Sequence, residues 1–416
     1  VVQIIMVDVL KLQCSVCEAE YAPDAVQYTC PVCGEVGTLD VLYDYAHLRE
    51  SLNRNMLPNI PSMWRYRDLL PLKSGSPVPP LTVGMTPLYD APRLASELGV
   101  RQAWVKDDGR NPTGSLKDRA SALIVARAME QGIQVVSTAS TGNAAAALAG
   151  VGASVGMKTI IFVPAAAPEA KIAQLLIYGA TVLLVEDTYD VAFDLCYKIC
   201  REQGWYCRNT GINPFTVEGK KTISFEIAEQ LQWDVPDVVV VSVGDGNIIA
   251  GVHKGFYDLL QLGWITRIPR LIGVQALGSA ALLGAWEQNL DARDMQPIDA
   301  HTIADSISAG LPRDRSRALR AVHQTNGAFV GVSDDEIVNA IAPLAQLTGV
   351  FAEPAAAATY AGAKRAVENS VIHADERVAL LVTGNGLKDV KRAQKAVGTG
   401  TRVVPTIEAV KQALGI

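Results

Sequence analysis

The stretch Asp107-Asp108-Gly109-Arg110-Asn111-Pro112-Thr113-Gly114-Ser115-Leu116-Lys117-Asp118-Arg119 decides how this chain is read. A Pro-Thr-Gly-Ser turn is followed at once by a lysine that opens a helical run. Such a turn can hold an ammonium at a cleft, strip it of water and leave its amine ready to attack a carbonyl. Outward from it, short β-branched runs alternate with amphipathic or Ala-rich stretches of helical spacing. Strands are expected at Val135 to Ser137, Thr159 to Val163, Thr181 to Val185, Val238 to Val243, Arg270 to Val274 and Val378 to Val382. Strands interleaved with helices predict parallel α/β architecture with helices on both faces. Two strand-to-helix junctions are glycine-bearing, Ser140-Thr141-Gly142-Asn143 and Gly244-Asp245-Gly246-Asn247. Open α/β folds place ligands at such carboxyl ends, and the N–H groups of a helix start suit an anion. The dinucleotide fingerprint fails at Ile249 and at Val155, and the phosphate-loop signature GxxxxGK[ST] is absent.

Four motifs in order, the lysine stretch, Ser140 to Asn143, Val243-Gly244-Asp245-Gly246-Asn247-Ile248 and Val382-Thr383-Gly384-Asn385-Gly386-Leu387-Lys388-Asp389, resemble those of pyridoxal-phosphate enzymes of the tryptophan synthase β fold, and within them the threonine synthase family. The resemblance runs from about Leu81 to the end. It implies two parallel-sheet α/β domains with pyridoxal 5'-phosphate in the cleft between them. The large domain is expected over 81–117 and 211–416, and the small one over 118–210. By resemblance Lys117 is the Schiff-base residue and the catalytic base. The amides of Gly244, Asp245, Gly246, Asn247 and Ile248 cradle the cofactor phosphate. Asn143 donates to the phenolate oxygen of the ring, and Ser140, Thr141, Gly142 and Asn143 receive the substrate carboxylate. Thr383 faces the pyridine nitrogen, and a hydroxyl there favours elimination and replacement over transamination. Glu353 matches a family glutamate, and a helix-capping role suits it equally. The family also implies a homodimer.

The expected reaction is that of the family, O-phosphohomoserine and water to threonine and phosphate, making the chain a carbon-oxygen lyase of amino-acid biosynthesis. The alternative is an ammonia-lyase, dehydratase or β-replacement reaction on an unphosphorylated hydroxy amino acid such as serine, threonine or hydroxyaspartate. Family members carry Asn-Pro-x-Arg-x-Glu-Gly-Gln-Lys-Thr, whose arginine clamps the substrate phosphate. Here Asn213-Pro214-Phe215-Thr216-Val217-Glu218-Gly219-Lys220-Lys221-Thr222 has Thr216 in its place, with Lys220 as a substitute cation. Gly211 stands where a serine ligand is usual.

The first forty-five residues differ in composition. Cys14-x2-Cys17 and Cys30-x2-Cys33 have zinc-ribbon spacing and can close a tetrahedral four-thiolate site around a structural Zn2+. A module over 1–45 is expected, then a proline-punctuated, extended connector over 46–80 that packs along the body. Of 416 residues, 49% are hydrophobic and 19% charged, which excludes disorder. A net charge of -6 offers no field for nucleic acid or an anionic membrane, so a small-molecule partner is expected rather than a scaffold or nucleic-acid adaptor. The uncharged stretch Gln131 to Met157 is long enough to span a bilayer, but its Gly, Ala, Ser and Thr, with Asn143 inside, read as a glycine-rich site. The segment Val1 to Leu10 has neither basic leader nor cleavage site, and with seven cysteines it predicts a reducing, cytoplasmic setting. Cys196, Cys200 and Cys207 read as core thiols, and Arg313, Arg315 and Arg317 as a solvated loop with local ion pairs.

Overall fold

A computed structural model describes residues 9–167 and 169–416; the expectation drawn from Val1 to Leu10 lies almost wholly outside them. Three sheets carry the chain. The N-terminal one is antiparallel, β1 (Val9–Cys14) between β2 (Glu20–Tyr21) and β3 (Leu39–Tyr43). The next two strands are β4 (Leu88–Asp90) and β5 (Gln102–Asp107). A four-stranded parallel sheet holds β6 (Val135–Ala139), β7 (Lys158–Pro164), β8 (Thr181–Val185) and β9 (Tyr206–Cys207) in the order β8-β7-β6-β9.

The largest sheet adds β10 (Val238–Ser242), β11 (Arg270–Ala276), β12 (Ala328–Val332) and β13 (Arg377–Val382), ordered β12-β11-β10-β13-β5-β4. All its neighbours are parallel except β4, which turns back along β5. Its central strands are continuous apolar runs, as burial on both faces demands; every residue of β10 is buried. Ala-rich helices pack closely on them. A Cβ at Gly362, in the helix Pro354–Glu368, would overlap Val274 of β11.

Six expected strands are present within a residue or two of their predicted ends. β1 to β5, β9 and β12 were not foreseen. In β5 the run is broken by Lys106, yet this lysine is wholly buried. It donates to Glu226 Oε2 at 2.7 Å and to the Thr86 carbonyl at 2.6 Å. The uncharged stretch Gln131 to Met157 divides into a turn, β6, a loop and the twelve-residue helix Asn143–Ser154. Among the described residues no helix is long and apolar enough to cross a membrane.

The connector is less extended than expected. It holds a helix at Tyr45–Ser51 and a 3-10 segment at Met63–Leu69 that buries Met63, Trp64, Tyr66 and Leu69. Arg65 pairs with Glu229 at 2.6 Å and fastens it to the body. The N-terminal sheet is tied in as well. The Tyr28 hydroxyl accepts the Cys207 N–H at 3.0 Å and donates to the Trp205 carbonyl at 3.4 Å, along the outer edge of β9.

Candidate active site

Four loops that leave the carboxyl ends of parallel strands converge. Three belong to adjacent strands of the large sheet, β10, β13 and β5, and the fourth follows β6 of the small one. The β5 loop runs through the lysine motif into the helix Lys117–Glu130, which begins at Lys117 itself. Backbone bonds lock it to the β13 loop: Leu116 N–H donates to the Thr383 carbonyl at 2.9 Å, and Asn385 N–H to that of Gly114 at 3.0 Å. Thr383 is buried at this junction, so the lysine and the hydroxyl are held by one small ladder.

Lys117 is half-buried. Burial, then the nearby Arg208, lowers its ammonium to about 8 against the pull of Asp245 and Glu353. An amine so lowered is neutral for an appreciable fraction of the time near neutral pH, as a nucleophile or base must be. The turn before it is fixed by Asp118, whose carboxylate accepts the Thr113 N–H at 2.7 Å and its hydroxyl at 2.5 Å. Below, Arg119 is wholly buried and bonded to Asp108 and Glu226, and Glu226 also takes Lys106. This network ties β5, its loop and the helix Thr222–Gln230 into one rigid base.

In the β6 loop, Ser140 Oγ accepts the Gly142 N–H at 3.2 Å, and Asn143 opens the helix Asn143–Ser154. The Asn143 amide donates to Glu353 Oε1 at 2.8 Å and to Ser306 Oγ at 3.4 Å. Glu353 stands at the N-cap position of Pro354–Glu368, yet its side chain caps nothing there. It crosses the cleft to Asn143 instead, so closely over the β13 loop that any Cβ at Gly384 would overlap its carboxylate. Burial pushes this carboxyl up, while Asn143, Lys388 and Lys117 hold it down. Thr141, Gly142, Asn143, Ser306, Glu353 and Lys388 line one open cleft.

The β10 loop ends at the helix Asn247–Gln261. Gly246 has φ +87° and an added Cβ would lie 2.6 Å from that of Ala318, so only glycine fits; at Gly244 it would meet Ile307 Cα at 2.8 Å. The bare amides of Gly244 to Ile248 therefore face an N-terminal helix end, a cradle suited to a phosphate ester. Asp245 does not occupy it freely, since its carboxylate accepts the Arg313 N–H at 3.2 Å. Asn247 spends its side chain on Asp314, at 2.8 Å, on Thr216, at 3.3 Å, and on Lys220. With the lowered amine of Lys117, the cradle fits a phosphorylated aldehyde such as pyridoxal phosphate.

Arg208, just past β9, was not singled out from the sequence, where it is one isolated charge after a cysteine. It is wholly buried and close enough to Lys117 to lower its ammonium. Arg313, Arg315 and Arg317 are engaged elsewhere: with Glu35 and Asp190, with backbone carbonyls, and with Asp314.

Apart from the cleft, the four sulfur atoms of Cys14, Cys17, Cys30 and Cys33 lie within 4.8 Å of one another. The N–H groups of Val16 and Cys17 point at the Cys14 sulfur, and that of Cys33 at the Cys30 sulfur, at 3.4 to 3.5 Å. A Cβ at Gly37 would sit 2.6 Å from that of Cys33 and 3.1 Å from the Cys14 sulfur. Four thiols gathered under turned-in amides fit one tetrahedral metal ion. Cys196, Cys200 and Cys207 form a second, wholly buried thiol group in an apolar cluster.

Residues 80–384 match the family described as pyridoxal-phosphate dependent enzyme. The chain is 40% identical over 387 residues to a threonine synthase of Methanocaldococcus jannaschii, covering 92% of this chain and 94% of that one. It is 38% identical over 406 residues to a threonine synthase of Methanosarcina acetivorans, covering 97% and 98%. Among solved structures, threonine deaminase isoform 2 of Solanum lycopersicum superposes with a TM-score of 0.64 at 24% identity, over 76% of this chain and 84% of that one. Diaminopropionate ammonia lyase of Escherichia coli gives 0.64 at 17%, over 75% and 87%. At these identities the two structures establish the fold.

Proposed function

The chain belongs to the threonine synthase family of pyridoxal-phosphate dependent enzymes, and from that premise we propose that it converts O-phosphohomoserine and water to threonine and phosphate. The observation that carries this reading is Lys117 at the start of its helix, locked to the Thr383 loop at the carboxyl ends of β5 and β13. Held by Lys117, pyridoxal phosphate would supply the electron-accepting ring that the chemistry at the substrate α carbon needs. Lys117 would take the α proton and then a β proton, phosphate would leave the γ carbon, the γ carbon would be protonated, water would add its hydroxyl at the β carbon, and a proton would return to the α carbon. The loop Ser140 to Asn143 receives the substrate carboxylate at its helix start. The Asn143 amide would hold the ring through its phenolate oxygen, and Glu353 holds that amide at 2.8 Å. Gly244, Asp245, Gly246, Asn247 and Ile248 would cradle the cofactor phosphate, and the Thr383 hydroxyl would serve the pyridine nitrogen.

The finer assignments belong to the same reading. The four-cysteine module, 1–45, takes a structural Zn2+, supported by its thiol geometry. The small domain spans 118–210, the large one 81–117 with 211–416, and the connector 46–80. The enzyme is a cytoplasmic homodimer, as the family resemblance suggests. The test is a substrate panel. Threonine and phosphate are expected in equal amounts from O-phosphohomoserine, and neither from Lys117→Ala. A protein that instead turns serine, threonine or hydroxyaspartate into a keto acid and ammonia, with no phosphate released from O-phosphohomoserine, defeats the reading.

A further inference from the structure

A substrate phosphate needs cationic partners in a site closed to water, and Thr216 is not one. It is wholly buried, and its hydroxyl donates to the Asn213 carbonyl at 2.8 Å. One turn further along the same helix, Phe215–Lys220, the Lys220 side chain is wholly buried and donates to Asn247 Oδ1. The amide nitrogen of that Asn247 reaches Thr216, so the two positions share one face of the helix. Glu218 and Lys221 leave in another direction. They enter an ion network with Asp258, Lys254 and Tyr43. Lys221 is thus neutralised by carboxylates, whereas Lys220, among the described residues, bonds an amide oxygen and no carboxylate.

Arg208 comes from the small sheet. Its N–H continues the β6–β9 ladder onto the Ser137 carbonyl at 2.7 Å, which places it beside the strand that delivers Ser140 to Asn143. The wholly buried guanidinium donates to Thr210 Oγ1 at 3.0 Å and to Ser121 Oγ at 3.5 Å. Its Nη2 has no partner among the described residues. A buried guanidinium with an idle donor and no carboxylate of its own is costly unless an anion completes it. Burial lowers Arg208 to about 10 and Lys220 well below its usual value. Asp245 faces both of them and Lys117, but its carboxylate is partly spent on Arg313.

We propose that Arg208 and Lys220 form a two-pronged clamp for a phosphate monoester, and that the ester it takes is the substrate's γ-phosphate rather than the cofactor's. The planar fork of Arg208 supplies directed donors and Lys220 a point charge. Cofactor and substrate both carry this group. The cofactor's has its own cradle in the large sheet, whereas Arg208 stands on the sheet that carries the carboxylate loop. The clamp rests on the reading of the substrate as O-phosphohomoserine. It restores the charge missing at Thr216 from two positions, neither of which is 216.

The experiment uses the holoenzyme with Arg208→Met, Arg208→Lys and Lys220→Gln. Three quantities are read: KM and kcat for phosphate release from O-phosphohomoserine, competitive inhibition by inorganic phosphate, and the affinity of the apoprotein for pyridoxal phosphate by absorbance titration. The methionine and glutamine variants are expected to raise KM and weaken phosphate inhibition at least tenfold each, with a much smaller loss of cofactor affinity, since Lys220 reaches the cradle only through the Asn247 side chain. Arg208→Lys, which keeps the charge and loses the fork, is expected to fall between. A parallel loss of cofactor affinity with phosphate inhibition intact would assign the cations to the cofactor and overturn the proposal. So would unchanged values in all three variants, or an unsubstituted holoenzyme that phosphate does not inhibit. If that holoenzyme releases nothing from O-phosphohomoserine, yet phosphate protects its cofactor imine from an added amino acid and Arg208→Met abolishes the protection, the clamp stands and the substrate reading falls.

Discussion

Replacing Lys117 by methionine should stabilise the cofactor-free protein, and by an amount that depends on pH in a specified way. The folded ammonium titrates near 8 against an ordinary 10.5. The gap corresponds to about 3.4 kcal/mol at about 1.36 kcal/mol per unit. A lowered lysine is a penalty on the folded state. It is fully present below pH 8, because the folded chain must then hold a proton it binds weakly. It shrinks between pH 8 and 10.5, where the folded chain has released its proton and the unfolded chain still holds one, and above that window it is gone. Lys117→Met removes the penalty and keeps most of the side-chain volume. Urea unfolding of the two apoproteins should therefore differ by up to ~3 kcal/mol at pH 7, less what the half-exposed amine recovers from solvent, and converge near pH 10.5. Competitive acetylation of the apoprotein across the same range, read by peptide mass spectrometry, gives the titration directly. At pH 7 roughly 9% of an amine titrating at 8 is neutral, some 300-fold more than for an ordinary lysine. A Lys117 midpoint above 10, or a stability difference that does not depend on pH, would refute the electrostatic account of this residue.

Gly246→Ala must bring a side chain to φ +87° against Ala318, so cofactor affinity should fall by about 1–3 kcal/mol in an absorbance titration, with the fold retained by circular dichroism. Glu226→Gln leaves Arg119 and Lys106 short of a buried charge, and equilibrium unfolding should register a loss of about 3–5 kcal/mol. Glu353→Gln removes an anion that favours the charged form of Lys117, so the acetylation midpoint of Lys117 should move below 8. Cys33→Ser and Gly37→Ala should both lower bound metal from one ion per chain, the second because its methyl strikes Cys33; a full complement of zinc in either, by elemental analysis, counts against the four-thiolate site.

What could be read from the chain alone was whatever its chemistry wrote contiguously. Lys117, Asn143, Gly244 to Ile248 and Thr383 sit in loops of distinctive composition, and the four cysteines in two tight pairs. The residues that escaped depend on contacts between distant segments. Arg208 reads as a stray surface charge until β9 pairs with β6 and turns it inward. β5 is disguised by Lys106, whose charge is matched by Glu226, a hundred and twenty residues away. Glu353 announced a helix start, and it stands at one. That its carboxylate would instead meet Asn143 across the cleft follows only from the packing of the small sheet against the large. The connector looked extended because prolines punctuate it, but Trp64 and Tyr66 find a buried seat and Arg65 a carboxylate in Glu229.

The hydroxyl of Tyr28 has a bearing on what happens when the metal is lost. β9 is only two residues long and forms the outer strand of its sheet, with backbone groups turned outward that no further strand covers. Tyr28, two positions before Cys30, blocks that margin by bonding Cys207 and Trp205. A bare sheet margin is a template for pairing with other chains. If the four thiols hold zinc as proposed, stripping it should do more than unfold an appendage: it should uncover a sticky margin next to Arg208. Chelation would then be followed by self-association, visible in light scattering before any change in the colour of the bound cofactor, and Tyr28→Phe should scatter in the same way with its metal still in place.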